Sequence, residues 1–161
     1  HIRASWASPS SACMETRSYK VGDSLPPLTK NMTQEAINCF EKSGGATGPS
    51  QFTDLETARH TLGTGSTIAS GRMSLTFAIE LLRRYFGADV YNGAGMVDMR
   101  FLRPVRPGDS VTFTGKVTGT AKEADGTRVT VEVNATNQKG AVTAAGMGAC
   151  IVPSGYLPAE E

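Results

Sequence analysis

The sequence predicts a single α+β domain in which an antiparallel sheet wraps around one long helix. The chain has 161 residues, which suits one domain with one hydrophobic core. Its first half carries apolar residues at helical spacing, and its second half alternates apolar with polar residues. Helices followed by a run of strands are typical of an α+β domain, because the strands then form their own antiparallel sheet.

The helical signals fall into three segments of the first half. Thr33 is a candidate N-cap for a first short helix, and Asp54 is a candidate N-cap for a second. The longest signal covers residues 68–86, and Gly87 ends it. Its apolar positions at helical spacing are Leu75, Ala78, Ile79, Leu82, Tyr85 and Phe86. We therefore expect this third helix to be buried against the sheet.

The strand signals follow from residue 97 onward. The alternating segments are residues 97–101, 111–117, 129–135 and 142–152. The dipeptide Asp125-Gly126 separates two of them and predicts a hairpin turn. Gly146 and Gly148 lie inside the last strand, which predicts either close packing against it or a bulge. The glycines at 93 and 95 are expected in a loop.

Composition excludes several classes of function. The chain has 16 basic and 15 acidic residues, for a formal net charge of +1. A nucleic-acid-binding surface needs clustered Lys and Arg, and none is visible. No apolar run reaches the length of a membrane span. Three scattered cysteines, Cys13, Cys39 and Cys150, suit neither a disulfide framework nor a zinc site. Free thiols favour a reducing compartment, so we expect a cytoplasmic protein.

The first thirteen residues do not resemble the rest of the chain. They are rich in Ser and Ala and have no apolar periodicity, and Met14 follows them. They also lack the continuous apolar core of a secretory signal. We expect residues 1–13 to be a vector-derived or disordered leader, and residues 14–161 to form the domain.

Two segments carry a resemblance to a known family. Residues 101–109 read FLRPVRPGD, a strand that runs into a Pro-rich turn, and residues 68–71 read IASG at the start of the long helix. Together with residues 54–59, DLETAR, they resemble the MaoC-like (R)-specific enoyl-CoA hydratase/dehydratase family. The resemblance spans roughly residues 22–152. It implies a hot-dog fold, acyl-CoA or acyl-carrier thioesters as substrates in fatty acid metabolism, and a homodimer.

The same resemblance places the family's catalytic loop on residues 45–51. The family pattern is G-D-x-N-P-x-H, and Gly45 and Pro49 match it. Ala46 stands at the position of the catalytic Asp, and Gln51 stands at the position of the catalytic His. A His–Asp pair activates water and exchanges a proton near neutral pH, whereas an amide can only donate and accept hydrogen bonds. The usual hydratase mechanism is therefore not available from these two positions.

The resemblance implies that this sequence retains another part of the family's site, at the start of the long helix. The family holds the thioester carbonyl on a backbone N–H at the start of the long helix, which the resemblance places at Gly71. Ser70 stands in place of the usual His and could add a hydroxyl donor. The candidate catalytic residues are Gln51, Ser70 and Gly71, and the candidate substrate-binding residues are Pro49, Asp54, His60 and Arg103.

Several of these candidates have a plain structural alternative. Asp54 can be a helix cap without any role in binding, and His60 can be an ordinary surface histidine. Arg103, like Arg106, can bind a CoA phosphate through its fork of donors or can have a structural role at the sheet edge. Ser70 and Gly71 can simply permit tight helix packing.

Four functions remain open from the sequence. The leading hypothesis is a hydratase or dehydratase that acts on an acyl thioester through a rearranged site, without a metal or other cofactor. A second is a non-catalytic subunit that serves a catalytic MaoC-like partner, and a third is an acyl-CoA-binding protein. A fourth is a hot-dog thioesterase, for which Glu80 is the only acidic residue of the long helix. The sequence does not choose among them, because fold alone does not fix function.

Overall fold

The computed structural model describes residues 18–156. Four helices and five strands follow one another along the chain. In order they are β1 (Leu28–Met32), α1 (Gln34–Ser43), α2 (Leu55–Leu62), α3 (Gly71–Phe86), α4 (Ala88–Ala94), β2 (Gly95–Phe101), β3 (Asp109–Glu123), β4 (Gly126–Asn137) and β5 (Val142–Val152). The expected leader, residues 1–13, lies outside the described residues.

The five strands form one antiparallel sheet in the order β1-β3-β4-β5-β2. Strands β3, β4 and β5 form a meander. The predicted hairpin between β3 and β4 is present, but its turn is Ala124-Asp125, one residue earlier than expected, because Gly126 already pairs with Glu123. Strand β2 precedes the meander in the chain but pairs with its last strand, β5. The predicted fold class, an antiparallel sheet around one long helix, is confirmed.

Helix α3 supplies the apolar face that the sheet covers. Its buried side chains pack in one core with inward residues of the sheet, among them Leu82 and Phe86 of the helix and Phe113 of β3. Space for the helix comes from glycine on β5, because a β-carbon at Gly148 would lie 2.5 Å from Cδ1 of Leu82. The close packing predicted for β5 is thus present.

Two expectations from the sequence were wrong in detail. The long helix begins at Gly71 and not at Ile68, because the backbone of Ser70 is extended, with φ −68° and ψ 151°. The glycines expected in a loop lie in ordered elements, one at position 93 in α4 and one at position 95 at the start of β2. Tyr91 anchors that short helix in the core, which outweighs the low helix propensity of glycine.

Candidate functional site

A cavity of about 330 Å³ lies between the start of α3 and the segment that follows β2. Its lining residues come from three places: the turn into α3, the Pro-rich turn after β2, and the start of β5. They are Ile68, Ala69, Ser70, Gly71, Ser74, Phe101, Leu102, Arg103, Pro104, Val105 and Thr143. The two segments that carry the family resemblance therefore face each other across one cavity.

Ser70 occupies the N-cap position of α3 but does not cap it. Its backbone is extended, with φ −68° and ψ 151°, and its side chain makes no capping hydrogen bond. The residue is 5% exposed, and its hydroxyl has no hydrogen-bond partner among the described residues. Buried polar groups are normally paired, so an unpaired hydroxyl on a cavity wall is a candidate ligand contact.

The backbone beside Ser70 adds further donors. The first N–H groups of any α-helix have no acceptor within the helix, and α3 begins at Gly71. These groups carry partial positive charge, which suits a carbonyl oxygen or a developing oxyanion. Because Gly71 lines the cavity, the start of α3 presents these donors there.

The ring of Phe101 stands over Gly71. A β-carbon at position 71 would lie 2.8 Å from Cε2 of this ring, so only glycine lets the ring approach the helix so closely. Phe101 comes from the end of β2 and is itself half exposed. It therefore forms an apolar wall directly beside the helix N-terminus.

The cavity wall combines hydroxyl groups with one cationic side chain. Ser70, Ser74 and Thr143 contribute hydroxyls, and Arg103 is the single ionisable side chain among the described lining residues. The guanidinium of Arg103 donates from Nη1 to the carbonyl of Val142 at 2.7 Å, which holds it at the start of β5. Such a wall can polarise a carbonyl but holds no carboxylate or imidazole for proton exchange.

The family assignment follows from comparison with known proteins. The family model described as MaoC like domain matches residues 29–139. The chain belongs to the MaoC-like domain family. This match includes both the start of α3 and the turn after β2, so every lining residue of the cavity except Thr143 lies in the matched range.

Solved structures of MaoC-like proteins share the fold at low sequence identity. The monoamine oxidase regulatory protein from Archaeoglobus is 24% identical, with a TM-score of 0.71, over 84% of this chain and 91% of that one. The (R)-hydratase from A. caviae involved in PHA biosynthesis is 21% identical, with a TM-score of 0.67, over 85% and 99%. A chain of the ChsH1–ChsH2 complex from Mycobacterium tuberculosis is 17% identical, with a TM-score of 0.68, over 84% and 99%. No curated protein sequence matches the chain.

Residues 45–51, where the sequence resemblance predicts the family's catalytic loop, lie beside this cavity without lining it. Ala46 and Pro49 are exposed. Gln51 is partly buried, and its backbone carbonyl accepts a hydrogen bond from the N–H of Ile68, a lining residue, at 3.3 Å. The loop is thus attached to the cavity wall, while the side chain of Gln51 is not part of that wall.

Gln34 is not among the candidates predicted from the sequence, but its side chain holds this loop beside the cavity wall. The Nε2 of Gln34, at the start of α1, donates to the carbonyl of Phe52 at 2.9 Å, and its Oε1 accepts from the hydroxyl of Thr67. Thr67 is buried just before the cavity wall. Gln34 therefore connects the loop to the turn into α3, and no local sequence pattern indicates a contact over that separation.

Asp54 and His60 have the positions expected of structural residues. The Oδ2 of Asp54 accepts from the N–H of Thr57 at 2.9 Å and from its hydroxyl at 2.6 Å, so the carboxylate caps α2. These hydrogen bonds lower the pKa of Asp54 below its usual value of 3.8. His60 is exposed in the last turn of α2. Neither residue lines the cavity, so their proposed roles with substrate gain no support from geometry.

A buried carboxylate pairs with the first turn of α3. Glu41 is 3% exposed although it lies near the end of α1, where the helix dipole disfavours an acid. Its Oε2 pairs with Nη2 of Arg72 at 3.3 Å, while Oε1 has no partner among the described residues. The N–H of Ala46 donates to its backbone carbonyl at 3.0 Å. This ion pair joins α1 to the first turn of α3, and the backbone hydrogen bond joins residues 45–51 to α1.

The other candidate chemical groups lie away from the cavity. Glu80 pairs with Lys30 at 3.1 Å and with Arg84 at 2.8 Å, so it is not placed to attack a thioester held at the start of α3. Cys150 is buried, and burial raises the pKa of its thiol to about 11, which opposes nucleophilic activity.

Over residues 18–156 no cluster of acidic, His or Cys side chains could hold a metal ion. No helix in the same range is long and apolar enough to cross a membrane.

Proposed function

We propose that this MaoC-like domain binds an acyl thioester, on CoA or on an acyl carrier, with the carbonyl oxygen at the start of α3. The observation that carries the proposal is the buried hydroxyl of Ser70, which lines the cavity and has no partner in the described structure. A carbonyl oxygen at this point accepts from that hydroxyl and from the free N–H groups beside it. The apolar wall of Phe101, Leu102 and Val105 then faces the acyl chain.

Binding of this kind polarises the thioester but does not complete a hydration. Addition or removal of water also needs a group that exchanges a proton, and the described lining residues include none. We propose that a catalytic MaoC-like partner supplies this group, and that the present chain is the acyl-binding member of the pair. The similarity in fold to a chain of the two-component ChsH1–ChsH2 complex is compatible with such a role.

A self-contained lyase is the second candidate. The observation in its favour is the hydrogen bond between Gln51 and Ile68, which holds the family's loop against the cavity wall. In this candidate function the amide of Gln51 orients a water molecule at the bound thioester. In this case Gln51 and Ser70 position water and substrate, with no metal or other cofactor.

We also propose a residue that binds CoA, a cell compartment and an oligomeric state. Arg103 lies at the mouth of the cavity and is exposed, so it is placed to meet a phosphate of CoA. Cys39 and Cys150 are free thiols, which favours the cytoplasm. We also expect the chain to form a homodimer.

Replacing Ser70 by alanine separates ligand binding from stability. We expect the dissociation constant for crotonyl-CoA to rise about tenfold, because one hydrogen bond to the carbonyl is lost. We expect the free energy of unfolding to stay unchanged or to rise, because the variant loses an unpaired buried hydroxyl and no capping bond. Calorimetric titration and urea denaturation measure the two quantities.

Ser43→Ala is the matched control. That serine is exposed at the end of α1 and bonds to the carbonyl of Cys39. Its removal should leave crotonyl-CoA affinity unchanged. Wild-type affinity in the Ser70→Ala variant, or no binding by the wild type, would sink the proposed site.

Turnover distinguishes the two candidate functions. The purified chain should not hydrate crotonyl-CoA on its own if a partner supplies the acid–base group, and activity should appear on mixing with that partner. A self-contained lyase should instead hydrate the substrate alone, and Gln51→Ala should lower kcat at least about tenfold. Formation of the (R)-3-hydroxyacyl product is followed by mass spectrometry, and free CoA is followed with a thiol reagent to detect thioesterase activity.

A further inference from the structure

Ser74 is a second serine of α3 on the cavity wall. It lies one turn into the helix and is 4% exposed, whereas Gly71 at the helix start is only partly buried. Gly71 and Ser74 are the residues of α3 that line the cavity. Residues three positions apart share one face of a helix. The cavity therefore runs inward from the start of α3 to Ser74.

The hydroxyl of Ser74 has no hydrogen-bond partner among the described residues. A serine inside a helix usually points to solvent or donates to the carbonyl four residues earlier. Thr76 on the same helix does the latter, since its hydroxyl donates to the carbonyl of Arg72 at 2.9 Å. Ser74 does neither, and alanine is the better helix former. Local structure therefore gives no reason for a serine, and a ligand group does.

The other polar side chains of the wall are engaged. The hydroxyl of Thr143 donates to the carbonyl of Ala135 at 3.3 Å. Arg103 donates to the carbonyl of Val142 and is exposed at the mouth of the cavity. Among the described lining residues, Ser70 and Ser74 are therefore the hydroxyl donors that remain available inside the cavity.

The spacing of these donors defines the ligand they fit. One turn of helix, about 5 Å along the axis, separates the donors at the start of α3 from Ser74. A carbonyl oxygen held at the helix start leaves the acyl chain to run along α3 past Ser74. Two oxygens in a 1,3 arrangement on that chain match the spacing, because each hydrogen bond adds its own length of about 2.8 Å. The second oxygen is then on C3 of the acyl group.

We propose that Ser74 is a specificity residue whose hydroxyl binds an oxygen on C3, so that the cavity prefers a 3-hydroxyacyl thioester over the unsubstituted acyl thioester of the same length. This inference rests on the proposed function, because it takes the position of the carbonyl oxygen from it. Ser70 binds the oxygen that all acyl thioesters share, and Ser74 binds the oxygen that distinguishes them. Ser74 takes no part in proton exchange, because no described residue next to it acts as a base.

The preference arises from the ligand that lacks the second oxygen. Such a ligand displaces water from the inner end of the cavity and leaves the hydroxyl of Ser74 buried without a partner. A site built to bond a hydroxyl rejects the analogue without it more strongly than an apolar pocket rejects an added hydroxyl. One neutral hydrogen bond corresponds to about a tenfold difference in dissociation constant.

Calorimetric titration with two CoA thioesters tests the role of Ser74. Wild-type protein should bind the better enantiomer of 3-hydroxybutyryl-CoA about tenfold more tightly than butyryl-CoA. Ser74→Ala should weaken binding of 3-hydroxybutyryl-CoA to the level of butyryl-CoA. Ser70→Ala should weaken binding of both ligands by the same factor and so keep the preference. Mass spectrometry of the recovered ligand verifies that neither thioester is converted during the titration.

A control variant and a stability measurement complete the experiment. Thr76→Ala changes an exposed hydroxyl two residues along the same helix and should keep the preference. Ser74→Ala should be at least as stable in urea as the wild type, because alanine favours the helix and no hydrogen bond is lost.

The possible results separate this inference from the proposed function. Equal wild-type affinities for the two thioesters, or a preference that survives in Ser74→Ala, would overturn the role of Ser74 and leave the thioester site standing. A preference lost in Ser70→Ala as well would also overturn it, because the two serines would then not bind separate oxygens. Absence of binding by either thioester would overturn the proposed function and this inference together.

Discussion

Gly146→Ala is expected to destabilise the fold by about 3 kcal/mol, the upper part of the range for overpacking a well-packed interior. A β-carbon at this position would overlap the carbonyl oxygen of Asp98 and would lie 2.8 Å from Cα of Met99. Both atoms belong to the backbone of β2, which cannot move aside as a flexible side chain can. The strand must therefore shift away from β5.

Urea denaturation of the variant and of a matched control measures this effect. Gly119→Ala makes the same substitution inside β3, where the nearest atom to the added carbon is 3.8 Å away. That variant should be neutral or slightly more stable, because alanine restricts the unfolded chain. Equal denaturation midpoints for the two variants would contradict the contact between β2 and β5 as described.

Arg72→Ala should lower the free energy of unfolding by about 2 kcal/mol, which is less than the usual loss on breaking a buried ion pair because Arg72 is 66% exposed. The substitution leaves the carboxylate of Glu41, 3% exposed, without its cation. Water cannot reach that carboxylate freely, so the lost ion pair is not replaced by hydration. The first turn of α3 should lose its attachment to α1.

A double variant and a surface pair give the controls. Glu41→Met in the Arg72→Ala background removes the buried charge and should recover most of the lost stability. Arg84→Ala breaks a more exposed pair with Glu80 and should change stability by only about 0.5 kcal/mol. If the double variant is as unstable as Arg72→Ala, the buried carboxylate is not the source of the loss.

Local patterns predicted most of the fold. Both short-helix caps, Thr33 and Asp54, make the expected side-chain bonds, and Gly87 ends the long helix. Local chemistry also predicted the close packing at Gly148 and the β3–β4 hairpin, although the turn lies one residue before Asp125-Gly126. Helix α4 was missed because a buried tyrosine, and not helix propensity, stabilises it. Burial depends on contacts that are distant in the sequence.

The site was predictable only where the family resemblance pointed to it. Ser70, Gly71 and Arg103 were singled out from the sequence, and they line one cavity. Phe101 begins the FLRPVRPGD segment but was not among the candidate site residues, although its ring covers Gly71 from thirty positions along the chain. Glu41 lies in a short amphipathic helix, and nothing in that pattern marks it as buried. Contacts between separate elements carry this information, and a single sequence does not contain them.

The unpaired hydroxyl at the start of α3 has a consequence for selectivity. In the proposed complex, a ligand oxygen at this point satisfies the hydroxyl and the backbone N–H groups together, whereas a methylene there leaves them without an acceptor. A thioether analogue of a thioester matches it in length and shape but lacks that oxygen. Donors that have no partner before binding therefore reject the wrong molecule more effectively than the apolar wall around them can.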